Sequence, residues 1–134
     1  MSPRAYPAYK QQNISVIVML ADDDECLQKA KCNLLGLYAA DGFHVIHLPI
    51  SDFSVPTSKD LRVALDQTID QARKGKHVVI HCSAGIGRTG LFAACLARAI
   101  LGLPAEKAIE WVRRYIPGAV ETPSQRLFVA AQQF

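Results

Sequence analysis

The segment that most constrains the fold is Leu91 to Leu101, which is apolar at nearly every position except Arg98. A helix apolar all round has no face to give to water, so other layers must surround it. Its apolar run is far too short to cross a bilayer, so those layers come from the chain itself. Upstream lie three strand-like runs. Ile14 to Leu20 is apolar and rich in β-branched residues, broken only by Ser15; Phe43 to Leu48 and His77 to His81 are the others. Helical patterns separate them. Leu27, Ala30, Leu34, Leu37 and Tyr38 repeat at helical spacing, as do Leu61, Ala64, Leu65, Thr68, Ile69 and Ala72. Strands alternating with helices predict an α/β domain with a mainly parallel central sheet flanked by helices on both faces.

Punctuation along the chain agrees with this order. Asp22, Asp23, Asp24 and Glu25 are placed to favour the start of the first helix, and Asp41-Gly42 to end it. Thr57 with Asp60 resembles a capping box for the second, and Gly75 stops it. Gly102 ends the apolar helix. Pro104 starts an amphipathic one carrying Ala105, Ala108, Ile109, Val112 and Ile116, and Pro117-Gly118 breaks it. Thr122-Pro123-Ser124-Gln125 reads as a capped start leading into Leu127, Phe128, Ala131 and Phe134. Residues 1–13 read as an irregular lead-in and 14–134 as a single domain; 134 residues suffice for one core.

Charge excludes little. Fifteen Lys and Arg against twelve Asp and Glu leave a net +3, and no basic block of five occurs. That argues against nucleic acid as the main partner. No apolar leader follows Met1, so a cytoplasmic protein with reduced thiols is expected. The four cysteines, Cys26, Cys32, Cys82 and Cys95, match no zinc spacing. A zinc site from His44, His47 and Cys82 is conceivable by residue type alone, but no metal or other cofactor is expected.

The chemistry concentrates in His81-Cys82-Ser83-Ala84-Gly85-Ile86-Gly87-Arg88-Thr89-Gly90, between a central strand and the buried helix. Gly85 and Gly87 let the backbone curl so that successive N–H groups point inward, a nest for an anion. The helix beginning near Arg88 adds the positive end of its dipole. Arg88 can grip two phosphate oxygens with its planar fork. Cys82 lies at the floor of this positive field, which favours the nucleophilic thiolate. In α/β sheets such ligands bind beyond the carboxyl ends of the strands, where this turn lies.

This string resembles the H-C-x5-R-[ST] signature of the protein tyrosine phosphatase superfamily, and the small size resembles its compact dual-specificity branch. The resemblance implies a phosphatase loop in a phosphatase domain, with a cysteinyl-phosphate intermediate that water hydrolyses. Carried over residue by residue, Cys82 is the nucleophile and Arg88 binds substrate and transition-state charge. Thr89 matches the hydroxyl that assists the departing sulfur. The amides of Ser83, Ala84, Gly85, Ile86, Gly87 and Arg88 would hold the phosphate oxygens. His81 matches the histidine that orders the loop and helps keep Cys82 ionised. The family takes its leaving-group proton from an upstream loop aspartate; Asp52, in the loop Pro49 to Pro56 and 30 residues before Cys82, is placed for that role.

Competing readings stand beside these. Asp52 can also be a turn residue bonding its own backbone, whereas Asp60 reads better as a cap. Thr89 can be an ordinary first-turn residue. Gln125 matches a downstream glutamine that some family members use to place water, yet with Thr122 it also completes a capping box. Cys95 reads as a packing thiol, and Trp111 as packing on its helix. The implied substrate is a phosphorylated protein or peptide, on tyrosine and with possible action on serine or threonine, met by a monomer that spans no membrane. The alternatives are a phosphoinositide or an RNA 5′ phosphate as substrate, or a phosphate-binding adaptor without turnover. Phosphoinositide-selective relatives often carry lysines in the loop, and this loop has none.

Overall fold

A computed structural model describes residues 13–22, 40, 42–51, 54–82 and 86–134. The expected first helix with Cys26 and Cys32, most of the lead-in, Asp52, and Ser83, Ala84 and Gly85 lie outside the described residues.

Three strands, β1 (Ile14–Met19), β2 (His44–His47) and β3 (His77–His81), form a sheet in the order β2-β1-β3. Both pairings are parallel, with Val18 level with Ile46 on one side and Ile80 on the other. β1 is apolar from Val16 onward because it is sandwiched there: Val16 to Met19 are at most 1% exposed. The chain passes from β1 to β2, then crosses back over β1 to β3. In this strand order the connections diverge at the carboxyl ends of β1 and β3, the place where α/β sheets bind ligands.

Helix α1 (Ser58–Arg73) makes that crossing. Thr57 caps it, accepting from the Asp60 amide at 3.1 Å, and Leu61, Ala64, Leu65 and Thr68 face the core. Each large apolar side chain so buried contributes roughly 1.5–3 kcal/mol. Lys74 closes the helix and Gly75 follows at φ +83°, a conformation that only glycine adopts freely.

Helix α2 (Gly87–Leu101) follows β3. It begins four residues earlier than its apolar run, because Gly87 to Gly90 are helical as well as loop-forming. Leu91, Phe92, Ala94, Cys95 and Ala97 are buried, but Ile100 and Leu101 are 59% and 52% exposed, so the surrounding layers cover the start of the helix and not its last turn. Gly102 ends it at φ +69°. α3 (Ala105–Arg113) and α4 (Pro123–Ala131) pack against α2, and Ile116 lies in the turn after α3. Arg98 of α2 binds the end of α4, donating from Nη1 to the carbonyls of Val129 and Gln132, both at 2.7 Å. Among the described residues no helix is long and apolar enough to cross a membrane.

Candidate active site

The strand ends are knitted together by backbone bonds that run past the last paired residues. The Leu20 amide donates to the His81 carbonyl at 2.9 Å, and the Leu20 carbonyl accepts from the Ile50 amide at 2.9 Å. The Ile50 carbonyl in turn accepts from Arg88 Nη1 at 2.7 Å. One relay therefore connects the residue before Cys82 to the guanidinium six residues after it. The parallel register of three strands sets that link.

Arg88 is 1% exposed, one of the largest fully buried side chains among the described residues. A charge so placed is tolerable only when its donors are engaged, since burying it unmatched would cost several kcal/mol. Ile50 occupies one donor and holds the fork in place. Because Ile50 lies in the loop that carries Asp52, the base of that loop reaches the same sheet edge as the arginine. Asp52 itself lies outside the described residues.

Cys82 is 3% exposed, directly after β3. Thr89 Oγ1, in the first turn of α2, donates to Cys82 Sγ at 3.2 Å. Ile86 precedes that helix and its hydrocarbon side chain makes no capping bond. A helix start without a side-chain cap leaves its first amides to other acceptors, and an anion at the positive dipole end is a favourable one. Sulfur, hydroxyl, guanidinium and uncapped helix start thus converge at one end of the sheet.

Burial lowers His81 from 6.5 to about 4, so its ring is neutral near pH 7 and brings no charge to the site. Burial pushes the Cys95 thiol up to about 12, which keeps it protonated and inert in the core. His44 and His77 are exposed at strand starts, and His47 Nε2 lies 3.0 Å from the Ala21 carbonyl.

Gln125 is 0% exposed, and both ends of its carboxamide are hydrogen-bonded. Its Oε1 accepts from the amides of Glu121 at 3.0 Å and Thr122 at 3.3 Å, while its own amide donates to Thr122 Oγ1 at 3.1 Å. The capping box is therefore formed. Its Nε2 donates to the Ser54 carbonyl at 3.4 Å, on the far arm of the Asp52 loop, and lies 3.3 Å from where a Cβ on Gly87 would sit. Gln125 thus caps α4, as its spacing from Thr122 predicts, and lies beside Gly87 at the start of α2.

Comparison with known proteins agrees with this arrangement. The family described as "Polymorphic toxin system, DSP-PTPase phosphatase" matches residues 2–101. The chain belongs to the protein tyrosine phosphatase superfamily, in its compact dual-specificity-like branch. Dual specificity protein phosphatase CDC14C of Symphalangus syndactylus is 33% identical over 132 residues, which is 98% of this chain and 25% of that protein. Tyrosine-protein phosphatase cdc-14 of Caenorhabditis elegans is 31% identical over 134 residues, 99% of this chain and 17% of that protein. The chain thus spans a quarter or less of these two relatives. The crystal structure of Tk-PTP in its active form superposes with a TM-score of 0.86 at 30% identity, covering 100% of this chain and 89% of that one.

Glu121 also stands at this site, and no motif in the sequence marks it. Its carboxylate packs against Gly87, where any Cβ would overlap Glu121 Oε1. The one local hint is the pair Gly87 and Gly90, three apart on a helix face: a Cβ on Gly90 would meet the backbone of Ala119 and Val120, and one on Gly87 the side chains of Glu121 and Gln125.

Proposed function

We propose that this chain hydrolyses phosphomonoesters through a cysteinyl-phosphate intermediate, acting on phosphotyrosine and also on phosphoserine or phosphothreonine in proteins. The observation that carries the reading is the 3.2 Å bond from Thr89 to the Cys82 sulfur at the uncapped start of α2. Relatives named as dual specificity and tyrosine-protein phosphatases support the choice of protein substrates.

In the first step the Cys82 thiolate attacks phosphorus, the bond to the ester oxygen breaks, and Asp52 gives that oxygen a proton. Arg88 and the amides from Ser83 to Arg88 hold the equatorial oxygens as their charge develops. In the second step water attacks phosphorus, Asp52 takes its proton, and the S–P bond breaks. The Thr89 hydroxyl donates to the sulfur as it regains its electron pair. Gln125 and His81 support the loops rather than carry protons, since the Gln125 carboxamide is engaged and the His81 ring is neutral.

The test is hydrolysis of a small aryl phosphate with a chelator present. Turnover should persist in the parent and vanish in Cys82→Ser. A parent that binds phosphopeptide without turnover makes the chain an adaptor, and loss of turnover on chelation makes it a metal enzyme. A panel of phosphopeptides, inositol lipids and RNA 5′ ends compared by kcat/KM separates protein from non-protein substrates.

A further inference from the structure

We infer that Glu121 is a specificity residue on the rim of this site, favouring phosphopeptides with a Lys or Arg beside the phosphorylated residue; this rests on the phosphatase reading above. A carboxylate beside a dianion site weakens phosphate binding unless the substrate brings a compensating positive charge.

Three observations place the charge there. First, Glu121 Oε1 and Cδ fill the space that a Cβ on Gly87 would need, so the carboxylate lies on the first turn of α2, next to the amides expected to hold phosphate. Second, its backbone is anchored on both sides. The Glu121 amide donates to Gln125 Oε1 at 3.0 Å; just before it, Arg113 donates from Nε to the Ala119 carbonyl at 2.8 Å and from Nη2 to the Val120 carbonyl at 3.1 Å. Val120 holds φ +62°, an uncommon conformation for a β-branched residue, with its side chain 1% exposed. Such a turn persists because its surroundings over-determine it, so Glu121 is presented at a fixed point. Third, Glu121 is exposed and no Lys or Arg among the described residues forms an ion pair with it. Arg113, the α3 residue that holds this turn, is committed to the two carbonyls. The Glu121 charge is left for a substrate group.

The experiment compares two phosphotyrosine peptides that differ only in Arg or Gln next to the phosphotyrosine. The ratio of kcat/KM is read within each variant, so any general loss of activity cancels. The parent should prefer the Arg peptide about 3- to 5-fold at low salt, the range of a partly exposed ion pair. The preference should shrink at high salt, vanish in Glu121→Gln and reverse in Glu121→Lys. The Kd ratio for the same peptides is measured in Cys82→Ser, which binds without turning over. A ratio of one in the parent, or an unchanged preference in Glu121→Gln, overturns the assignment while leaving the phosphatase reading intact. A Glu121-dependent Kd preference without hydrolysis in the parent supports the rim charge and overturns the phosphatase reading. Better use of a multiply phosphorylated inositol lipid than of the Arg peptide by the parent also overturns the proposal.

Discussion

Gly90→Ala sets two local rules against each other, and the geometry decides which wins. Gly90 sits in the first turns of α2, where alanine is favoured over glycine by about 1 kcal/mol on helix propensity. A Cβ there would lie 2.5 Å from Ala119 Cβ, 2.9 Å from Ala119 Cα and 2.9 Å from the Val120 nitrogen. Ordinary carbon contacts need about 3.5–4.0 Å, so the shortfall is about 1 Å against atoms that no rotamer change can move. Either the helix or the turn must shift. Overpacking of this kind costs about 1–3 kcal/mol. If the turn lifts, the two Arg113 bonds that hold it stretch as well, each worth about 1.5 kcal/mol or more because the donor is charged. Overpacking of about 2 kcal/mol plus the loss of about one such bond, less the propensity gain, leaves a net loss of about 2 kcal/mol. Urea denaturation reads it directly: with a slope of about 2 kcal/mol/M the midpoint should fall by about 1 M. Adding Ala119→Gly removes the closest contact but leaves the two at 2.9 Å, so it should restore only part of the loss. A Gly90→Ala protein that unfolds at the same or higher urea would refute the reasoning, because propensity would then have outweighed contact.

Two further outcomes are expected. His81 should make the fold sensitive to acid: its folded value is depressed to about 4, so between about pH 6.5 and pH 4 the unfolded chain takes up a proton that the folded one refuses. Stability is therefore lost as pH falls through that window, on the order of 2 kcal/mol between pH 8 and pH 5 from this group. His81→Asn should flatten the dependence by that amount in urea titrations at the two pH values, and an unchanged slope would count against burial as the cause. Asp52→Asn should slow hydrolysis most for poor leaving groups, by about 100-fold or more, and least for activated aryl esters. Equal slowing across a series of leaving groups would remove Asp52 from the acid role.

Features that depend on near neighbours could be read from the residues alone. Thr57 and Asp60, or Thr122 and Gln125, meet because three residues of helix bring them together, and both caps form where the spacing placed them. Gly102 stops α2 because its backbone adopts φ +69° at little cost. The string from His81 to Gly90 was legible for the same reason: strand, turn and helix start are contiguous, so Thr89 meets the Cys82 sulfur over a span of seven residues.

Features that depend on partners far apart in the chain emerge only once it has folded. Arg88 is clamped by a carbonyl 38 residues upstream, and Gln125 reaches one 71 residues away. Sheet register and helix packing set those meetings, and no spacing in the sequence encodes them. The exposed last turn of α2 belongs here too, because composition gives a helix its apolar faces but not the neighbours that cover them. Glu121 is the sharpest case. Its position follows from two glycines on α2, Gly90 admitting the backbone of Ala119 and Val120 and Gly87 admitting the Glu121 carboxylate, and the effect of a missing Cβ becomes visible only when the atoms that fill its place are known.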